Sequence, residues 1–152
     1  PKGTHRSPDL RSVLESDDSV DRRLFASESI RKRRLAAVKG VPPHPSIWHE
    51  NKAGNISPLP YSCALRTGAS YNYLLVNGIR RLSSRELLRL QGFPDTFQIV
   101  VPHGEIRRQT GNSVCIPVVR AVAQQLLKSL REGVEAVKEP VQMTLLPEKE
   151  ST

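Results

Sequence analysis

The longest stretch of regular apolar spacing lies near the C-terminus, where Ile116, Val119, Ala123, Leu126, Leu127 and Leu130 recur at helical intervals. Pro117 suits the first turn of that helix, because its missing N–H has no partner there anyway. Just upstream, Gly111-Asn112-Ser113 reads as a turn that opens the helix, giving an expected turn-plus-helix unit over 111–130. A second pattern centres on Asn77-Gly78, flanked by Tyr73-Leu74-Leu75-Val76 and Ile79-Arg80-Arg81-Leu82. It predicts a hairpin closed by a type I′ turn, since Asn and Gly tolerate positive φ. Ser83 and Glu86 then form a capping box that opens a helix over 84–91, ended by Gly92 and barred from continuing by Pro94.

The first half is less regular. Ser27-Glu28-Ser29 marks a helix start, with Ile30, Leu35 and Val38 as its apolar positions and Gly40 as its stop. Val41-Pro42-Pro43-His44-Pro45 must be extended or turning. Trp48 and the Asn51–Pro60 stretch read as loop with short strands, and residues 61–82 as strands. Leu10, Val13 and Leu14 can dock as one helical turn within an otherwise polar N-terminal stretch. Beyond Gly133 the sequence is acidic and broken by proline, predicting a flexible tail. The elements add up to a mixed α+β chain: a small, irregular β-rich region with a hairpin, followed by helices.

Composition narrows the partners. In 152 residues, a net charge of +8 favours a polyanion, because each Lys or Arg that meets a phosphate releases counterions. Cys63 and Cys115, the two cysteines, give neither a disulfide framework nor metal-ligand spacing, and a reduced cytoplasmic setting suits them. His44, His49 and His103 have no ligand partners at metal spacing and read as surface or loop residues, so no metal is expected. No apolar run approaches the roughly 20 residues that cross a bilayer, and no signal peptide is apparent. A first residue of Pro1 rather than Met suggests a piece of a longer product. The run Arg31-Lys32-Arg33-Arg34 reads as a solvated helix face, with contact to nucleic-acid phosphates as the alternative.

Two blocks carry a family resemblance. Leu75-Val76-Asn77-Gly78, Arg80-x-Leu82, Arg85-Glu86 and Leu90-Gln91-Gly92-Phe93-Pro94-Asp95-x-Phe97 resemble the penultimate conserved block of the DNA cytosine-5 methyltransferases. Gln109-x-Gly111-Asn112-Ser113-Val114, with Ile116-Pro117-Val118 behind it, resembles the final block. The resemblance implies a C-terminal portion of such an enzyme, whose helices pack back onto a Rossmann-like catalytic half that this chain lacks. Residues 1–24 would then be a connector from that half, 25–78 the target-recognition region, 79–131 the two conserved blocks, and 132–152 the tail.

It also implies roles. Asn112, Ser113 and Val114 would lie near S-adenosyl-L-methionine, the methyl donor. Arg80, Arg85, Glu86, Gln109 and Gly111 would be structural. Ala64-Leu65 matches the family's Thr-Leu pair, with Ala where Thr is usual. Within Arg66–Asn72, the residues Arg66, Thr67, Ser70, Tyr71 and Asn72 have the chemistry of a base-reading loop on double-stranded DNA, where a bidentate contact discriminates by ~1–3 kcal/mol.

What is missing matters equally. The family's nucleophilic cysteine follows proline, whereas Cys63 follows Ser62 and Cys115 follows Val114. Glu50-Asn51-Lys52 only echoes the family's Glu-Asn-Val segment, and no glycine-rich cofactor fingerprint is present. The chain is therefore expected to contribute no catalytic residue and to be inactive alone. It would act as the small subunit of a split enzyme or as the C-terminal product of an interrupted one, beside a catalytic half. A stand-alone DNA-binding module is the rival reading. A bacterial, nucleoid-associated location is implied. Gln142-Met143-Thr144-Leu145-Leu146 resembles the short peptide that docks on the bacterial sliding clamp.

Overall fold

A computed structural model describes residues 9–138. They fall into two compact units divided between Pro117 and Val118.

The first unit opens with helix α1 (Leu10–Val13), capped by the Asp9 carboxylate, which accepts from the Arg11 N–H at 3.0 Å. Leu10 and Val13 are buried, so the expected helical turn does dock. Two short 3-10 turns follow, at Asp17–Ser19 and Arg22–Leu24. Helix α2 (Glu28–Ala37) starts after Ser27 as expected, but its buried face differs from the apolar prediction. Leu35 is 64% exposed, while Arg34 is fully buried. The reason is a partner distant in sequence: the Arg34 guanidinium donates to the Glu50 carboxylate at 2.7 Å and to the Trp48 carbonyl at 3.3 Å. The basic run is thus a solvated face at only part of its length.

Three strands form one antiparallel sheet in the order β2-β1-β3: β1 (Ile47–Glu50), β2 (Ile56–Leu59) and β3 (Leu74–Val76). Ile47 lies opposite both Leu59 and Val76, so β1 is central. The Asn51 side chain closes the β1–β2 turn by accepting from the Ala53 and Asn55 N–H groups. The Asn77-Gly78 turn is present, with φ of 49° and 72° and a 2.9 Å bond from the Ile79 N–H to the Val76 carbonyl. Its second arm is not a full strand. Arg80 makes single bridges to Val76 and to Phe25, because the chain at 24–26 takes the remaining pairing positions. Residues 61–73 are loop rather than strand.

The capping box is formed as expected on α3 (Ser84–Leu90). Its C-terminus closes through bonds from Gly92 N–H to the Arg89 carbonyl and Phe93 N–H to the Leu88 carbonyl, with Gly92 at φ 82°. Helix α4 (His103–Asn112) is not predicted by the apolar pattern, and its last turn takes in Gly111 and Asn112, which the pattern assigns to a turn. The expected turn therefore shifts to Ser113–Cys115. Ile47, Tyr73, Leu74, Val76, Leu82, Leu87, Leu88 and Ile106 form one apolar core with Leu10, so the hairpin region and the conserved blocks share it.

Helix α5 (Ile116–Lys138) enters the second unit and runs past the predicted end at residue 130. A lone Gly133 costs only about 1 kcal/mol in a helix interior and does not stop it. The Gln142–Leu146 segment lies outside the described residues. Among the described residues, no helix is long and apolar enough to cross a membrane.

Candidate functional site

Loop 60–73, the end of α4 and the segment from Arg80 into α3 bring the expected site residues to three separate places. The first is a cleft of ≈ 580 Å³ between the β1–β2 turn and the loop, lined in part by Arg33, Lys52, Arg66, Gly68 and Ser70. Arg66 is exposed there, with its guanidinium 5.2 Å from the Tyr73 ring centroid and its backbone N–H donating to the Tyr73 hydroxyl at 2.9 Å. Burial raises the Tyr73 hydroxyl pKa, so it stays a neutral acceptor and donor. Arg33 belongs to the basic run whose alternative reading is phosphate contact, whereas no local pattern points to Lys52. The presence of Lys52 depends on the β1–β2 turn folding toward the loop, which short-range patterns do not reveal. Arg33 is partly neutralised by Glu50 at 3.0 Å.

Tyr71 and Asn72 face elsewhere. The Tyr71 ring lies between two guanidinium groups, 4.4 Å from that of Arg81 and 5.1 Å from that of Arg107. Asn72 gives its carbonyl to the Arg34 guanidinium, and its Oδ1 is buried without a partner. Thr67 does not line the cleft. Its hydroxyl donates to Asn112 Oδ1 at 2.6 Å.

The second place is a cleft of ≈ 480 Å³ lined by Leu10, Val13, Ser62, Cys63, Ala64, Leu65, Leu90 and Gln91 together with Ser113, Val114 and Cys115. That volume falls within the roughly 300–1,000 Å³ of small-ligand sites. Three features hold its wall. The Gln91 side chain donates to the Thr110 carbonyl at 2.6 Å. The Ser113 hydroxyl donates to the same carbonyl at 3.0 Å. The Ile116 N–H donates to the Gln91 carbonyl at 2.9 Å. Among the described residues, no backbone or side-chain acceptor takes the Val114 or Cys115 N–H, leaving two consecutive donors at the turn. Asn112 does not line this cleft; its Oδ1 accepts from the Thr67 hydroxyl.

The third place is a buried charge cluster. Arg80 and Glu86, 1% and 0% exposed, are joined by two 2.9 Å bonds. Arg80 also reaches the Asp17 carboxylate at 2.5 Å and the Glu15 carbonyl at 3.0 Å. Burial works against its charge, but the Glu86 and Asp17 carboxylates outweigh it and hold the pKa above its ordinary value. Glu86 accepts in addition from the Ser83 and Glu15 N–H groups. Arg85 is half-buried with one unpartnered guanidinium nitrogen, Nη1. Gln109 is exposed on α4, and Gln91 makes the bracing contact to that helix instead. His103, read as a loop residue, begins α4 with Nδ1 2.9 Å from the Ser84 hydroxyl. Cys63 and Cys115 are half-buried free thiols. Among the described residues, no group of three His, Cys, Asp or Glu side chains suits a metal ion.

Comparison with known proteins gives this geometry a family. The model of the C-5 cytosine-specific DNA methylases matches residues 12–128. The chain belongs to that family. Type II methyltransferase M.HaeII of Haemophilus aegyptius is 49% identical over 146 residues, which cover 96% of this chain and 46% of that protein. Type II methyltransferase M.NgoBI of Neisseria gonorrhoeae is 58% identical over 112 residues, covering 74% and 35%. The chain thus spans less than half the length of these curated relatives. The crystal structure of S. pombe Dnmt2 methyltransferase aligns at 23% identity and a TM-score of 0.49, over 85% of this chain and 44% of that one.

Proposed function

We propose that this chain is the DNA-recognition and cofactor-pocket-completing portion of a DNA cytosine-5 methyltransferase, active only together with a catalytic half. The cleft walled by Ser113, Val114 and Cys115 carries this reading. When bound, S-adenosyl-L-methionine supplies an activated methyl group for transfer. The chain's own part is to hold one side of it. The free N–H groups of Val114 and Cys115 suit a carboxylate or another acceptor, and Leu10, Val13 and Leu65 offer apolar contact beside them. Asn112 leaves the expected cofactor contacts and Cys115 joins them.

The cleft between the β1–β2 turn and the loop suits duplex DNA. Arg66 can reach a guanine edge bidentately, and Arg33 and Lys52 flank it as phosphate contacts. Tyr71 and Asn72 pass from base readers to supports of the loop. No Pro-Cys segment occurs in the 152 residues, so the nucleophile must come from elsewhere.

The proposed catalytic half would seat on helix α5. On α5, Val119, Val122, Leu126, Leu127 and Leu130 form a stripe at helical spacing and are 50–65% exposed. Such a stripe suits burial against a partner that carries the absent blocks.

The DNA assignment is tested by selecting bound duplexes from a randomised pool and comparing variants. Arg66→Ala should relax the selected consensus at one position. Lys52→Ala should weaken all duplexes alike and lower the salt slope by about 1. A consensus unchanged by Arg66→Ala would remove the reading of this cleft.

A further inference from the structure

Helix α4 meets the DNA-facing loop along one edge. The Arg107 guanidinium donates to the Ala69 carbonyl at 2.7 Å and to the Ser70 carbonyl at 3.3 Å. One turn later the contact becomes closer. A Cβ on Gly111 would stand 2.7 Å from the Thr67 nitrogen and 2.8 Å from its Oγ1, so the loop backbone lies directly against the helix there. The single Thr67 hydroxyl proton then has two acceptors within reach, Asn112 Oδ1 at 2.6 Å and the Arg108 carbonyl at 3.4 Å. The shorter bond takes it. Asn112 is the last residue of α4, and Ser113–Cys115, the wall of the second cleft, follows at once.

We propose that Thr67 is a positioning residue for methyl transfer, whose hydroxyl latches the DNA-facing loop to Asn112 and so fixes the Ser113–Cys115 wall. The proposal rests on the functional reading above for its consequence, but not for its geometry. Two residues assigned by sequence to different ligands serve each other instead. With Oδ1 engaged, the Asn112 amide is held out of the cofactor cleft, and the turn behind it inherits the loop's position. Displacing the loop therefore displaces the wall, since Gly111 leaves no slack between them. Substrate and cofactor sites are coupled through one hydrogen bond and one close backbone approach.

Amide hydrogen exchange on the full chain decides whether the latch exists. Three protected amides report on it: Arg66 on the loop side, Ile116 on the wall side, and Leu87 in α3 as control. Thr67→Val should speed exchange at both Arg66 and Ile116 by about three- to tenfold, the range a single net hydrogen bond supports, and leave Leu87 unchanged. Thr67→Ser should restore both. Asn112→Ala should match Thr67→Val, and the double variant should add nothing further. A change confined to Arg66, or additive effects in the double variant, would overturn the latch. With a catalytic half supplied, Thr67→Val should also raise the KM for the methyl donor at unchanged kcat; a rise in the DNA KM alone would overturn the positioning role. Exchange needs neither ligand, so a failed complementation would remove the functional reading while the exchange result still judged the latch.

Discussion

Arg80 and Glu86 face each other through two parallel bonds in the interior, and Glu86 simultaneously caps the helix it sits on. One carboxylate therefore serves the helix start, the hairpin and, through the Glu15 N–H, the N-terminal segment. Removing it leaves the Arg80 charge buried beside only Asp17. Breaking such a pair costs about 3–5 kcal/mol. Glu86→Ala should lower the free energy of unfolding by about that amount, with Glu86→Gln retaining the cap and losing less. Urea denaturation of the three proteins checks it, and equal stability of Glu86→Ala and the parent would contradict the linchpin role.

A close approach predicts a second effect. A Cβ on Gly78 would stand 2.7 Å from the Trp48 ring, at a backbone φ of 72°. Gly78→Ala combines overpacking with a disfavoured conformation, together costing about 2–4 kcal/mol. Trp48, the chain's one tryptophan, reports this through its emission wavelength. A red shift together with a lower unfolding midpoint is expected.

His103 predicts the pH response. Burial first, then the Arg81 and Arg107 charges, lower its pKa below the ordinary 6.5, with Asp21 opposing. The unfolded chain then binds the proton more readily than the folded one. Stability is fully present above pH 6.5 and falls as the pH drops through the window below it, toward the depressed folded value. The melting temperature should fall between pH 7.5 and 5.5, and His103→Gln should flatten that slope. A His103 titration midpoint at or above 6.5 by NMR would contradict the sign.

The apolar stripe of α5 yields a prediction that separates docking from folding. Leu126→Glu combined with Leu127→Glu places two charges on an exposed face, so urea unfolding of the chain should change by no more than about 0.5 kcal/mol. Affinity for a catalytic half should fall at least tenfold, because those charges would have to be desolvated. Sedimentation of mixed halves checks it. Unaltered association would shift the docking face elsewhere.

Several parts of this architecture were legible locally. The Asn77-Gly78 turn, the Ser83–Glu86 box and the Gly92 stop are each fixed by neighbours within six residues, and each is present. Helix α4 was invisible for a physical reason. His103–Asn112 contains Ile106 as its lone large apolar residue, two glycines, and no side-chain cap. What holds it is tertiary: Ile106 and Thr110 are buried, and Gln91 reaches across to it. Pro102 before Glu105 and Arg108, an i,i+3 ion pair, was the faint available signal. Arg34 was misread likewise, since its partner Glu50 lies 16 residues away. Among the proposed site residues, motif chemistry points to Ser113, Val114 and Arg66, and the fold sets each of them along a cleft. The turning of Asn112 toward Thr67 was not, because a contact spanning 45 residues leaves no local pattern.

The division of labour between two halves is tested most directly by transfer of a tritiated methyl group from S-adenosyl-L-methionine to duplex DNA. The measurement compares this chain, a catalytic half bearing the Pro-Cys and Glu-Asn-Val segments, and the two together. Counts in DNA should appear only with both present, and should vanish when the catalytic cysteine is replaced. Transfer by the purified chain alone, or by the catalytic half without it, would contradict the account.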